Sequence, residues 1–419
     1  MTQPLTAGDD TPPSLPISGS ISGSISGPIA GSFAGPSSGP RPDPEPPSVQ
    51  LRADSPEALL TIVPHLLGFL PQASLVVVGT EPQSDRIKVT LRYDLPDPSG
   101  AGAAAELAAH ALGVLSSQQL TALVAVGYGS RALVEPVAAA LRAAAGPAGI
   151  AIGDILRVEG RRYWSYLCTV EACCPAAGTP FVPDSRAVLA LARTGGQVLA
   201  DRAAVAARVA PLGGIAAESM RQATRRAEGH RRQLLARVRK SPRLGAARQM
   251  IAAEGLNAVG SMLRTYRSGG RLATDYQVAW ITVALRDLRV RDDAWARMDP
   301  AHADAHQRLW TDVTRRAQPG YVAAPASLLA FVAWQSGDGA LANVALDRAL
   351  ADEPGYSMAQ LLRQVITAGT PPSLARLPMT PEEVAASYAD IDEELEGEDT
   401  DDDHGQDPDA HDLDPACEP

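Results

Sequence analysis

The chain has 419 residues, a formal net charge of −11 and a hydrophobic fraction of 45%, with 36 glycines and 35 prolines. That apolar content excludes a wholly disordered protein, no apolar run is long enough for a membrane span, and the length suits two or three domains. The charge is an average over unlike parts: residues 381–419 carry 17 acids and no Lys or Arg, residues 1–48 carry four acids and one Arg, and the body between holds 36 basic against 27 acidic residues. The body is basic, and the acidity sits at the ends. Three of the four cysteines cluster at Cys168, Cys173 and Cys174, with Cys417 apart. That is too few for a disulfide framework, and the first residues lack the basic and apolar regions of a secretory signal. A reducing cytoplasm is the expected compartment.

Residues 1–48 contain a degenerate Ile-Ser-Gly-Ser repeat, with Ile17, Ile21, Ile25, Ile29 and Phe33 at four-residue spacing. Glycine in every unit opposes a helix, so this Ser/Gly/Pro-rich segment is expected to be a disordered extension. Residues 49–183 read as an α/β domain with a mixed sheet. A strand is predicted at 49–53, then a helix over 58–69 capped by Asp54 or Ser55, with Glu57 placed as a capping-box carboxylate. Strands follow at 74–79 and 86–93, the second alternating Ile87, Val89, Leu91 and Tyr93 on one face. Next come a helix at 101–115, a strand at 122–126, a helix at 131–144, and a hairpin of 150–158 with 163–168 that ends in the cysteines.

From 184 to 375 the period is helical, with helices predicted at 185–193, 200–210, 215–238, 244–267, 274–298, 301–317, 326–335, 340–351 and 356–367. Trp280, Trp295, Trp310 and Trp334 lie in this Ala-rich region and are expected to anchor helix–helix contacts. Residues 323–356 resemble one tetratricopeptide repeat: Leu329 and Ala330, Gly337 in the turn, Ala342, Leu346 and Ala349, then Pro354. Ala326 stands where a large aromatic residue opens that repeat, so a helical-hairpin domain with a tetratricopeptide-like end is predicted. Residues 376–419 read as a disordered acidic tail.

Three features bear on chemistry. Gly127-x-Gly129-x-x-Ala132 follows a strand and opens a helix, and Asp154 ends a run of strand about 20 residues on. Formally this is a dinucleotide fingerprint, in which glycines let backbone amides approach a pyrophosphate and an acid binds a ribose hydroxyl; a plain Gly-rich turn gives the same pattern. Cys168, Cys173 and Cys174 offer three sulfurs and no neighbouring His, which fits inert thiols, a redox pair or an incomplete metal site. Residues 220–243 carry nine basic residues, among them Arg225, Arg226, Arg232 and Arg239, on a helix whose apolar face holds Met220, Ala227, Leu234 and Val238. Such a face is either solvated, paired with the acidic tail, or open to an anionic partner; nucleic acid is the lesser prospect, since no helix-turn-helix or zinc module accompanies it. His302 and His306 are four apart, a spacing that more often belongs to two solvent-facing side chains than to a metal pair. No catalytic set and no cofactor is indicated.

The run Arg161-Arg162-Tyr163-Trp164-Ser165-Tyr166-Leu167-Cys168, with Cys173-Cys174-Pro175 and Gly178-Thr179-Pro180, resembles the actinobacterial "domain of unknown function 4192" family. Ser55-Pro56-Glu57-Ala58-Leu59-Leu60, Leu67-Gly68-Phe69 and Trp334-Gln335-Ser336-Gly337-Asp338-Gly339-Ala340 share the likeness, which covers roughly residues 49–372. The resemblance implies a bacterial cytoplasmic protein of uncharacterised activity and carries over no catalytic residue. From the residues themselves, the leading expectation is a non-catalytic binding or adaptor protein, engaging a protein through its helical domain and no membrane. A nucleotide or small-ligand protein using Gly127 and Gly129, and a thiol redox or metal sensor, are the alternatives.

Overall fold

The computed structural model describes residues 21–25, 49–53, 55–80, 87–100, 102–192, 197–238, 244–269, 273–372 and 380–389. Two compact units divide them: the residues up to Arg208 with Ser336–Leu341 and the stretch from Arg363, and the residues from Val209 with Ala342–Leu362 and 380–389.

In the first unit, β1 (Ile21–Ile25) pairs antiparallel with β2 (Val49–Ala53), Ile21 opposite Ala53. Five residues expected in the N-terminal extension are thus strand; the rest of residues 1–48 lies outside the described residues. A mixed six-stranded sheet follows, built from β3 (Ser74–Thr80), β4 (Ile87–Asp94), β5 (Ala122–Tyr128), β6 (Ala151–Glu159), β7 (Arg162–Ser165) and β8 (Thr179–Pro180), in the order β4-β3-β5-β6-β7-β8. Among the described strands of this sheet, β5 and β6 alone run parallel, joined through α3 (Arg131–Ala145). On one face, α1 (Pro56–Leu67) and α4 (Ser185–Ala192) pack Leu59, Leu60, Ile62, Val63, Ala187 and Leu191 onto Val76, Val78, Val124, Val126 and Leu156. On the other, α2 (Ala103–Ser117) and α3 cover Leu75, Val77, Leu123, Ala125 and Ile155. The alternation of burial along β3 and β5 is therefore two-sided, which is why both read as continuous apolar runs.

Ser55 caps α1, accepting the Ala58 N–H at 3.1 Å, and Pro56 occupies the first helical position. Asp54, the other predicted cap, lies outside the described residues. Glu57 serves elsewhere, accepting the Tyr163 hydroxyl at 2.6 Å. Ile87 departs from its predicted face: Val89, Leu91 and Tyr93 meet the α2–α3 side, whereas Ile87 packs with the α1–α4 side. The cause is a bulge, since Gly79 opposes Val89 but the next residue, Thr80, opposes Ile87. One extra residue in β4 reverses the side on which every residue before it falls. The unit also reaches past the predicted boundary at residue 183, because Ala187 and Leu191 of α4 are core residues of the sheet.

The second unit is helical: α6 (Gly214–Val238), α7 (Leu244–Arg267), α8 (Asp275–Ala284), α9 (Leu288–Ala296), α10 (Ala303–Arg316), α11 (Ala323–Gln335) and most of α12 (Gly339–Asp352), with α5 (Arg202–Ala207) before it in the first unit and α13 (Ser357–Thr367) after. The helix predicted over 274–298 is two, because the Asp287 carboxylate accepts the Arg289 N–H at 3.0 Å and starts a new helix. An aspartate that can cap its own successors competes with helix continuation. The tryptophans do hold helices together: Trp280 meets His230 edge-on at 4.7 Å, joining α8 to α6, and Trp295 meets Phe331 at 5.4 Å, joining α9 to α11. Trp310 is completely buried. Residues 381–389, placed by the sequence in the acidic tail, are helical. Thr380 and Glu383 cap that helix reciprocally, and Tyr388 donates to Asp292 at 2.7 Å.

Candidate functional site

The cysteine loop is built on the β6–β7 hairpin. Gly160 turns it at φ +59, and Asp154 on β6 accepts the Ser165 hydroxyl at 2.7 Å as well as the Ile155 N–H at 2.7 Å. Ser165 in turn accepts the N–H groups of Leu167 (3.1 Å) and Cys168 (3.0 Å), so the carboxylate fixes the serine and the serine fixes the start of the loop. The Val170 carbonyl then gathers the N–H groups of Cys173 (3.1 Å) and Cys174 (2.8 Å). The far limb is tied back by Arg162 to the Gly178 carbonyl (2.6 Å) and by the Trp164 indole to the Ala176 carbonyl (3.0 Å). Gly178 has φ +78, and a Cβ there would lie 2.4 Å from the Trp164 ring, so only glycine permits this closure. The Arg157 guanidinium covers Trp164 at 3.6 Å.

This scaffold brings the three sulfurs within 4.8 Å of one another, with Cys173 and Cys174 3.9 Å apart. Cys173 is exposed, and Cys168 and Cys174 are half-buried. A hydrogen bond from the Val170 amide, and then the neighbouring Cys174 thiol, lowers the pKa of Cys168. Burial, and then hydrogen bonding to the other two sulfurs, pushes Cys174 up to about 12. Cys168 is thus shifted towards the thiolate and Cys174 towards the thiol. Burial raises the Asp154 pKa, against the hydrogen bonds from Ser165 and Ile155. Among the described residues, this is the group of three or more His, Cys, Asp or Glu side chains whose ligand atoms converge.

The Gly127–Gly129 turn does stand between a parallel strand pair and its crossover helix, but Asp154 is not brought to it. Asp154 pairs with Val124, whereas Gly127 pairs with Arg157, three residues and about 10 Å further along β6. The Gly129 N–H, which would face a phosphate, is donated to the Val158 carbonyl at 2.9 Å. Gly127 is small for packing: a Cβ would meet Val134 of α3 at 2.3 Å. Gly127, Gly129 and Asp154 thus serve helix packing, strand pairing and the hairpin respectively.

A family model described as "Domain of unknown function (DUF4192)" matches residues 56–373. The chain belongs to that family. No curated protein and no solved structure matches it. The matched stretch contains the whole thiol loop of this DUF4192 chain, together with the arginine-rich helix α6.

On α6, Met220, Ala223, Thr224, Ala227 and Leu234 are buried, while Arg225, Arg226 and Arg232 are exposed. Arg221 and, at 3.8 Å, Arg225 pair with Glu218, and Arg226 lies 5.2 Å over Tyr276. Arg239 and the Val238 side chain lie outside the described residues. His302 and His306 are held apart by different partners: His302 bonds Asp299 at 2.7 Å, whereas the fully buried His306 faces Arg267 at 3.3 Å. Among the described residues, no helix is long and apolar enough to cross a membrane.

The Asp154–Ser165 anchor was not singled out by sequence reasoning. The signal that points to it is an acid at mid-strand facing a serine across a hairpin turn.

Proposed function

We propose that this DUF4192 chain binds a thiophilic divalent metal of the zinc class through Cys168, Cys173 and Cys174, as a metal-responsive sensor. The observation that carries this reading is the spacing of the sulfurs. Two thiolates about 2.3 Å from a tetrahedral zinc lie about 3.8 Å apart, and Cys173 and Cys174 are 3.9 Å apart before any metal is bound. Cys168 completes a face of that tetrahedron within a loop already fixed by backbone hydrogen bonds, leaving the fourth position for water or an incoming ligand. The lowered pKa of Cys168 favours the thiolate that metal binding requires. A reducing cytoplasm is the compartment in which such thiols remain free to bind.

The purified full chain, loaded with Zn2+ under reducing conditions, should retain one equivalent after dialysis, and Co2+ in its place should give sulfur charge-transfer bands. Cys173→Ser should abolish both while leaving the far-UV spectrum unchanged, since Cys173 is exposed. Asp154→Asn, which loosens the Ser165 anchor, should weaken affinity on the order of tenfold. Zinc retention well below stoichiometry, or full retention by Cys173→Ser, overturns the reading.

A protein-binding role for the helical unit is the second reading. It is favoured by the repeat-like pattern at α11–α12, where Gly337 turns at φ +80 and Ala342, Leu346 and Ala349 are all fully buried. Cross-linking of the full chain in a native lysate should place partner cross-links on α11–α13; intramolecular cross-links alone would remove this reading.

A further inference from the structure

The second unit contains a cavity of about 170 Å³ between the start of α6, the end of α10 and the segment 209–213. Its lining includes Leu212, Met220, Arg221, Arg315, Arg316 and Gln318. One wall is tied to another by backbone, the Leu212 N–H being donated to the Arg315 carbonyl at 3.1 Å, and nearby the Arg348 guanidinium donates to the Val209 carbonyl. It is a built space, smaller than the ~300 Å³ at which pockets for drug-sized ligands begin.

Its charge is one-sided. Arg316 is matched by Asp312 and Asp275, and Arg221 by Glu218. Arg315 has no such carboxylate in its hydrogen bonding: its buried Nε has no hydrogen-bond partner among the described residues. Arg348 stands close enough for mutual repulsion, and its pKa is lowered first by burial and further by Arg315, against the pull of Asp352. The Asp352 carboxylate is already engaged, accepting the N–H groups of Gly320 (2.7 Å), Val322 (2.8 Å) and Ala323 (3.2 Å) at the start of α11. Arg315 lines the cavity without a carboxylate to match its charge among the described residues, and an unmatched guanidinium beside a pocket favours an anion.

We infer that this cavity is a binding site for a small oxyanion, with the Arg315 guanidinium as its principal ligand and Arg221 at its rim. The volume admits a phosphate- or carboxylate-sized group. The site is independent of the thiol loop.

Calorimetric titration of the full chain with inorganic phosphate, and separately with acetate, at constant ionic strength tests the assignment. Binding of either anion is expected in wild type, the stronger one identifying the tetrahedral or planar class. Arg315→Met should weaken it at least about tenfold, the loss of a charge-assisted hydrogen bond. Arg315→Lys should retain part of it, and the exposed Arg225→Gln on α6 should bind like wild type. Absence of heat with both anions overturns the inference. So does an equal affinity in Arg315→Met, or an equal loss in Arg225→Gln, which would mark non-specific attraction to the basic helix.

Discussion

Asp154, half-buried, and Arg316, buried, each organise their unit by a different reach. Asp154 works on its own hairpin, eleven residues from Ser165, and Arg157, Arg162 and Trp164 likewise act within the same loop. Arg316 joins α10 to α8 through Asp275 at 3.0 Å and to the Ala273 carbonyl at 2.9 Å, while Tyr266 of α7 reaches Asp312 at 2.6 Å and Tyr321, in the turn before α11, reaches Glu228 of α6 at 2.8 Å. The sheet unit already has its strands aligned by backbone ladders, so the polar side chains of its hairpin mostly shape the loop, with the Tyr163–Glu57 bond to α1 the exception. The helices have no ladder between them, and buried polar groups help fix their mutual register.

The sharpest way to break this contrast is Arg316→Met. It leaves Asp312 and Asp275 without their cation, and should cost about 3–5 kcal/mol, confined to the helical unit. Denaturant titration followed by hydrogen exchange should show amide protection lost in α8 and α10 and kept in β3 and β5. Uniform loss across both units would contradict the division.

His306 offers a second test of the same unit. It is fully buried, its Nδ1 has no hydrogen-bond partner among the described residues, and its pKa is depressed to about 4, first by burial and then by Arg267. Asp299 opposes that shift and His302 adds to it. A base whose folded pKa lies below its unfolded value of 6.5 takes up protons on unfolding, so its contribution is fully present above pH 6.5 and lost as pH falls towards 4. The loss should be on the order of 3 kcal/mol, read as a falling denaturation midpoint, and His306→Gln should flatten that slope. An unchanged slope in the variant would assign it elsewhere.

The smallest effect belongs to the loop. Gly178→Ala should strain the left-handed turn and displace Trp164, costing about 1–3 kcal/mol locally, with altered tryptophan emission and poorer retention of Zn2+. Protection in α6–α10 should not move. A matching change there would show that the loop is not as local as its bonds suggest.

The same difference in reach decides what was legible from the sequence. The hairpin around Gly160, the cysteine cluster behind it and the strand at Val49–Ala53 all follow from neighbouring residues, and so could be placed. The facing of Ile87 could not, because it depends on how β4 registers against β3 across the Gly79–Thr80 bulge. Glu57 looked like a capping residue, yet its partner Tyr163 is 106 residues away. The fingerprint at Gly127, Gly129 and Asp154 has the right linear spacing, but strand pairing sets Asp154 beside Val124 rather than beside the turn. Within the thiol site, the residues were evident from the sequence. Their convergence was not, because it depends on the Val170 carbonyl and on Gly178 yielding space to an indole.

The two margins of the six-stranded sheet carry a further consequence. At one margin, β4 carries a bulge at its start, where Lys88 is passed over in the register; at the other, β8 is two residues long and ends in Pro180, which has no N–H to offer. A docking peptide that extends a sheet needs a straight run of unpaired donors and acceptors; β8 does not supply one, whereas β4 keeps an unbroken register with β3 from Val89 to Asp94. Strand addition is thereby closed at the β8 margin of this sheet, and the same blunting guards that margin against edge-to-edge aggregation.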